Sequence, residues 1–237
     1  MRHFGWVLMA SLLLFASCDQ PTRRLHRYEV HGIDVSHYQS HVHWDTVADQ
    51  DIHFAFIKAT EGETLQDTLF CHNWDELRRV GLKRGAYHFF RPGVAALNQA
   101  ENFAEMVTME YGDLPPVLDV EVLDGVSKVA LINGVRTWLY SIEIKYNVKP
   151  IIYTNTKFYH QYLAGHFEEY PLWIARYNYR QPKLATGKEW DFWQYGNRGR
   201  IPGVYGDVDF NVFKGNHYEL ETLCLAPRSI LSLVQEP

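Results

Sequence analysis

Short apolar runs alternate with amphipathic segments along most of the chain. The apolar runs predict strands at residues 28–36, 53–60, 84–90, 114–122 and 150–155. Between them, apolar side chains recur at helical spacing, as Phe70, Trp74 and Leu77 do. These segments predict helices at residues 45–50, 68–80, 95–111, 127–146 and 157–166. Strands that alternate with helices in this way indicate a parallel sheet whose strands are joined by crossover helices.

The rhythm changes after residue 166. Three further strand-like runs follow at residues 172–177, 190–195 and 208–213, and only loops rich in glycine, proline and charge separate them. The predicted fold class is therefore α/β, a modified TIM-like barrel of five βα units followed by three strands with few or no helices. A closed barrel suits the length better than an open sheet, and reactive groups in such barrels lie at the carboxyl ends of the strands.

The fourth predicted strand ends in two carboxylates, Asp119 and Glu121. Alternation along a strand places both on one face, and each charge opposes the ionisation of the other. Alone, the pair fits a strand end that emerges into solvent as well as it fits a reactive site. Asp34, Lys58 and Tyr153 also fall near the ends of predicted strands, and this convergence on one rim favours a site.

Composition narrows the classes of function. A hydrophobic content of 46% and a charged content of 22% are typical of a globular protein. The net charge of −5 gives no basic footprint for nucleic acid, and no glycine-rich phosphate loop occurs. The cysteines lack the spacing of a metal site, and His41 and His43 are interpreted as part of a solvated loop. We therefore predict no metal and no other cofactor.

The first residues have the character of an export signal. A positively charged start and an apolar run from Trp6 to Phe15 precede Ala16, Ser17 and Cys18, which predicts a lipoprotein-type signal peptide at residues 1–17. Cys18 would then be lipidated as the first mature residue, with an ordinary cleaved signal as the alternative. Residues 18–28 are predicted to form a polar tether.

Two cysteines remain beyond the predicted lipidation site. Cys71 and Cys224 are far apart in the sequence. In an oxidising compartment they could pair, and two unpaired, buried thiols are the equal alternative.

Eight short motifs follow one another in a specific order. They are Gly32–Ser36, Phe56–Gly62, Gly85–Phe89, Val117–Glu121, Pro150–Tyr153, Leu172–Ala175, Trp193–Tyr195 and Val208–Asn211. Together they resemble glycoside hydrolase family 25, the Chalaropsis-type lysozymes or N-acetylmuramidases. The resemblance implies a catalytic barrel at residues 29–215, with a C-terminal extension at 216–237. It also implies hydrolysis of the β-1,4 bond between N-acetylmuramic acid and N-acetylglucosamine in peptidoglycan.

The same resemblance assigns roles to side chains. Glu121 matches the general acid and Asp119 the second essential carboxylate, while Asp34 and Asp209 match flanking acids that orient and polarise the pair. Positions in segments that line the substrate groove are Lys58, Tyr87, Tyr153, Trp173, Tyr177 and Gln194. Trp173 could equally be a core residue.

Physical chemistry supports the division of roles between the two central acids. A general acid needs a raised pKa to stay protonated near neutral pH, and we expect the charge of Asp119 to be the main cause of that rise in Glu121. Asp119 itself could act as a nucleophile or activate water. Because both acids lie on one strand, a third route is favoured, in which the substrate's 2-acetamido group attacks and Asp119 steadies it.

Two other functions are consistent with parts of the sequence. A barrel glycosidase acting on chitin-like chains is one, although an acidic run is absent before Asp119. A non-catalytic peptidoglycan-binding lipoprotein is the other, and the intact acids argue against it.

The expected partners are peptidoglycan glycan strands and the membrane, through a lipid anchor at Cys18. We expect an exported monomer that is anchored in the cell envelope, or otherwise periplasmic or secreted.

Overall fold

Residues 22–227 are described by this computed structural model and contain nine strands. The strands are β1 (Val30–Val35), β2 (Phe54–Glu61), β3 (Leu65–Gln66), β4 (Lys83–Phe89), β5 (Val117–Asp119), β6 (Ile151–Asn155), β7 (Leu172–Ala175), β8 (Phe192–Gly199) and β9 (Val208–Phe213). The helices are α1 (Trp44–Ala48), α2 (Phe70–Val80), α3 (Ala96–Met106), α4 (Lys128–Tyr146), α5 (Thr156–Phe158, continued by a π-helical turn at Tyr159–Leu163) and α6 (His217–Leu223). The predicted signal peptide and Cys18 lie outside the described residues.

Eight of the strands close into a barrel. The sheet runs in the order β1-β9-β8-β7-β6-β5-β4-β2, and β1 also pairs with β2, which closes the ring. Neighbouring strands are parallel except at β9, which is antiparallel to both β8 and β1. The two-residue strand β3 extends the sheet beside β2. Five βα units followed by three strands make up this ring, so the predicted modified barrel is confirmed.

The side chains that point into the barrel change from apolar to polar along each strand. On β1 the inward positions run from Val30 through Gly32 to Asp34, and on β2 Phe54 and Phe56 are followed by Lys58. A Cβ atom at Gly32 would lie 2.3 Å from the Phe54 ring, so only glycine leaves room for that ring. The amino ends of the parallel strands are thus filled with apolar rings, and the carboxyl ends are left polar.

Strand β5 is shorter than predicted. It covers three residues instead of the nine from 114 to 122, partly because Pro115 and Pro116 lack the backbone N–H that a sheet ladder needs. One further backbone hydrogen bond, from Val120 N to Tyr153 O (2.9 Å), continues the pairing past the strand. Glu121 therefore stands on the loop that leaves the barrel, and not on the strand itself.

The helix ends agree in part with the sequence-based boundaries. Ser127, the first residue of the predicted fourth helix, caps α4, since its side chain accepts a hydrogen bond from Ala130 N. Helix α3 ends at Met106, five residues before the predicted end, because Val107 adopts an extended conformation and is buried. Helix α6 was not predicted and lies within the C-terminal extension, where Asn216 and Glu219 form a capping box.

The N-terminal segment of the described chain lies against the barrel. Thr22 N donates to Arg198 O at 2.9 Å, Arg27 Nη2 donates to Tyr179 O at 2.9 Å, and Leu25 is buried. The part of the predicted tether from residue 22 onward is therefore held on the surface of the barrel. No helix within residues 22–227 is long and apolar enough to cross a membrane.

The two cysteines of the barrel do not form a disulfide. Cys71 is exposed on α2, and Cys224 is buried after α6. The alternative that they pair is therefore wrong for this structure, and the alternative of two buried thiols is correct only for Cys224.

Candidate active site

A cleft of about 270 Å³ opens at the carboxyl ends of the parallel strands. All ten predicted site residues line it, namely Asp34, Lys58, Tyr87, Asp119, Glu121, Tyr153, Trp173, Tyr177, Gln194 and Asp209. Ser36, Tyr38 and Phe89 complete the lining and were not predicted as site residues. Because β9 is antiparallel to its neighbours, its first residues reach the same rim as the last residues of β1.

Asp34 and Asp209 form a pair across the junction of β1 and β9. They are register partners and are joined by a side-chain hydrogen bond. Asp34 Oδ2 also accepts hydrogen bonds from Gln194 Nε2 (2.9 Å) and Asn211 Nδ2 (2.7 Å). Burial raises the pKa of both carboxyls, and the charge of Asp34 raises the pKa of Asp209 further. Because Asp34 accepts the two amide hydrogen bonds, it is the better of the two carboxyls at holding a negative charge, and Asp209 is the better at holding a proton.

Two tyrosines orient the amide that binds Asp34. The hydroxyls of Tyr153 and Tyr177 donate to Gln194 Oε1 at 2.8 Å and 3.1 Å. With its oxygen occupied in this way, Gln194 turns its NH₂ group towards Asp34. Both tyrosines were expected to line the groove, and their hydroxyls also fix the position of a carboxylate at its floor.

Trp173 orients the second amide that binds Asp34, which is that of Asn211. Its indole N–H donates to Asn211 Oδ1 at 2.8 Å, and Asn211 in turn donates to Asp34. The side chain is only 2% exposed and stacks on Phe56. Trp173 therefore belongs mainly to the barrel core, the other of the two interpretations that the sequence left open.

Asp119 is the last residue of β5 and is almost completely buried at the floor of the cleft. Its Oδ1 atom has no hydrogen-bond partner among the described residues. Burial raises its pKa well above the ordinary value, and the charge of Glu121 raises it further, against an opposing effect of Lys58. A buried carboxylate oxygen that lacks a partner is costly. Asp119 also lines the cleft, so its carboxyl group is placed to accept a hydrogen bond from a group that enters it.

Glu121 stands two residues further on and is partly exposed to the cleft. Burial raises its pKa, and the charge of Asp34 adds to that rise. The expectation that Asp119 is the main cause is wrong, because the repulsion between the two acids instead raises the pKa of Asp119. The pKa values of both carboxyls are therefore raised, and both resist ionisation.

Lys58 forms an ion pair on one wall of the cleft. Its Nζ atom lies 2.6 Å from Glu61 Oε2, and Arg91 Nη2 lies 2.7 Å from the other oxygen of Glu61. Burial opposes ionisation of Glu61, but the two cations outweigh it and lower the pKa of that carboxyl. The ion pair thereby holds Lys58 beside Asp119. The positive charge of Lys58 opposes the rise in the pKa of Asp119 that burial and Glu121 cause. Glu61 was not among the predicted site residues.

His88 points away from the cleft. It is fully buried between the sheet and the helices, with Thr60 Oγ1 at 2.7 Å, Gln99 Oε1 at 3.1 Å and the Trp138 ring stacked at 5.6 Å. Burial lowers its pKa to about 4. This neutral imidazole packs between the sheet and the helices and does not line the cleft, so it is not placed to serve as a base.

Asn211 is the supporting residue that the sequence analysis missed. It lies inside the last recognised motif and two residues after Asp209, so strand alternation puts both on one face. Strand alternation could therefore have identified Asn211 as a site residue from the sequence.

Residues 33–204 match the model of a family described as glycosyl hydrolases family 25. The chain belongs to this family. The resemblance that the sequence motifs indicated is therefore confirmed, and the protein is a glycoside hydrolase of the lysozyme type. Its catalytic barrel is the ring of strands described above, and the cleft lies at the end of the barrel where that fold carries its reactive groups.

Several relatives of this family 25 enzyme are similar over most of its length. It is 47% identical over 199 residues to the uncharacterized protein YegX of Escherichia coli (strain K12), covering 82% of this chain and 73% of that one. It is 34% identical over 212 residues to Lysozyme M1 of Streptomyces globisporus, covering 82% and 71%. The structure of a family 25 glycosyl hydrolase from Bacillus anthracis superposes with a TM-score of 0.82 at 33% identity, covering 87% and 98%.

Proposed function

We propose that this family 25 enzyme hydrolyses peptidoglycan at the β-1,4 bond between N-acetylmuramic acid and N-acetylglucosamine. Similarity to a lysozyme of Streptomyces supports peptidoglycan as the substrate class. The observation that carries the proposal is the pair of acids at the end of β5 that line the cleft, Glu121 partly exposed to it and Asp119 buried in its floor.

Glu121 is the general acid in this proposal. It is the more exposed of the two acids, so it can reach the oxygen of a glycosidic bond that lies along the cleft. Its raised pKa keeps a proton available for that oxygen. The fixed charge of Asp34, held by Gln194 and Asn211, helps to keep the proton on Glu121.

Asp119 assists an attack by the substrate itself. The carbonyl oxygen of the 2-acetamido group attacks the anomeric carbon as the leaving oxygen takes the proton of Glu121. The acetamido N–H then donates to the carboxylate of Asp119, which stabilises the positive charge of the cyclic intermediate. Water, deprotonated by the Glu121 carboxylate, opens that intermediate, and the anomeric configuration is retained overall.

Product analysis tests both the bond and the stereochemistry. The exported protein is incubated with purified peptidoglycan, and the released sugars are identified by mass spectrometry while early product anomers are followed by NMR. We expect reducing-end N-acetylmuramic acid, released first as the β-anomer. Reducing-end N-acetylglucosamine would assign the enzyme to the other glycosidic bond. An α-anomer as the first product would rule out assistance by the acetamido group.

We also infer that the protein is exported and anchored in the cell envelope through Cys18, since its polymeric substrate lies outside the cytoplasm. The support comes from the charged, apolar and small-residue regions at residues 1–17. Growth with labelled palmitate is expected to label the protein, and Cys18→Ser is expected to abolish the label. Equal labelling of both forms would contradict lipidation at this residue.

A further inference from the structure

Cations are concentrated on one part of the barrel surface. Residues 22–28, 176–183 and 197–206 together carry eight Lys and Arg residues and not one Asp or Glu, although the whole chain has a net charge of −5. We call the surface formed by these three segments the cationic face. A field of one sign on a protein of the opposite net charge points to an anionic partner.

The three segments are joined to one another in space. Tyr179, in the second segment, accepts hydrogen bonds from Arg23 N through its hydroxyl (3.1 Å) and from Arg27 Nη2 through its carbonyl (2.9 Å). Thr22 is bound to Arg198 in the third segment by two hydrogen bonds, at 2.9 Å and 3.3 Å. The cationic face is therefore one continuous surface, and not three separate loops.

The cationic face lies next to the cleft. The second segment follows directly after β7, and Tyr177 within it lines the cleft. The third segment includes the carboxyl end of β8. The cationic face thus borders the cleft rim on the side of β7 and β8.

Two acidic residues lie at the margins of the cationic face. Arg24 lies 3.6 Å from Asp51, and Arg200 lies 2.8 Å from Asp207, which follows the third segment. Arg180 and Lys183 are exposed on the second segment. The cations there are available to an external partner.

Exposed tyrosines lie among these cations. Tyr179 is 51% exposed and Tyr205 is 87% exposed. Tyrosine next to arginine and lysine is the combination favoured at the interface between water and a lipid bilayer, where the ring lies at the level of the headgroups. This composition favours a bilayer over a soluble anion as the partner.

We propose that the cationic face docks on the anionic phospholipid surface of the membrane that carries the enzyme. Thr22 is four residues from Cys18, so an acyl anchor at Cys18 holds Thr22 within about 14 Å of the bilayer. Screening at physiological ionic strength acts over about 8 Å, and a link of this length allows the face to approach the headgroups to within that distance. The cleft rim beside the face is then held near the membrane. The proposal rests on the proposed export of the chain, and it does not depend on which glycosidic bond is cleaved.

Vesicle binding tests the docking surface. The full chain carrying Cys18→Ser, so that no acyl group contributes, is sedimented with vesicles of phosphatidylglycerol and phosphatidylcholine in equal parts. Arg180→Gln together with Lys183→Gln is compared with Lys128→Gln together with Lys145→Gln, a pair of exposed cations on α4 that loses the same charge. Each cation near an anionic bilayer contributes about five-fold to affinity, so the first pair is expected to weaken binding by about 25-fold.

The control pair is expected to bind like the parent chain, and binding of the parent is expected to fall with added salt and with pure phosphatidylcholine vesicles. Equal binding by the two double variants would overturn the proposal. The proposal would also be overturned if the Arg180→Gln and Lys183→Gln variant bound vesicles normally but no longer sedimented with purified peptidoglycan. The face would then belong to the substrate groove. Hydrolysis of short soluble glycan fragments is expected to be the same in all forms, which separates this proposal from the proposed reaction.

Discussion

Replacing Glu121 with glutamine is expected to lower the turnover number on purified peptidoglycan by about 10²–10⁴-fold, the usual contribution of a general acid. Glutamine has nearly the same shape but no proton to give to the leaving oxygen. The wild-type rate is expected to fall as the pH rises through the pKa of Glu121, because the deprotonated form cannot act as the acid. Burial and Asp34 raise that pKa, so this basic limb lies above the range of an ordinary glutamate.

The pH profile distinguishes a catalytic defect from a structural one. Glu121→Gln is expected to lose the basic limb together with the rate, while its thermal unfolding stays cooperative. Glu101→Gln, which changes an exposed glutamate on α3, is the matched control and is expected to keep both. A Glu121→Gln variant with the wild-type rate and an intact basic limb would remove Glu121 from the role of proton donor.

Replacing Asp119 with asparagine is expected to lower the turnover number by about 10²–10³-fold, the range observed when one electrostatic stabiliser of a transition state is removed. An asparagine can still contact the acetamido group, but it brings no negative charge to the cyclic intermediate. Substrate binding is expected to change less than turnover, because that charge matters most once the positive charge has developed. Steady-state kinetics on soluble glycan fragments separate the two quantities.

The same substitution is expected to raise the melting temperature at pH 7. Burial and Glu121 raise the pKa of Asp119 above its value in the unfolded chain. The unfolded state therefore loses this proton more readily, and this carboxyl reduces stability as the pH rises above its ordinary unfolded pKa. Removing such a group relieves the cost, as is common where activity and stability conflict.

Asp75→Asn, at an exposed position on α2, serves as the control and is expected to change neither activity nor melting temperature. An Asp119→Asn variant that is less stable at neutral pH would contradict the electrostatic account of this site. A variant that keeps full activity would exclude Asp119 from the mechanism.

Periodicity and motif order were sufficient to predict the barrel. Strand and helix patterns depend on local spacing, and the change of rhythm after residue 166 marks where the crossover helices end. Strand β5 and helix α6 were less well predicted. Proline shortens the first by removing hydrogen-bond donors, and the second is a short helix that depends on its capping box and on burial of Leu220.

The sequence by itself determined which acids stand at strand ends, because alternation and motif position fix them along the chain. The tertiary structure decided how those acids interact. Closure of β9 against β1 brings Asp209 beside Asp34 and makes Asn211 a donor to that carboxylate, although about 175 residues separate the strands. The tertiary structure also determined that the pKa of Glu121 is raised by burial and by Asp34, instead of by Asp119. Such effects depend on distances and solvent exclusion, which local sequence patterns do not contain.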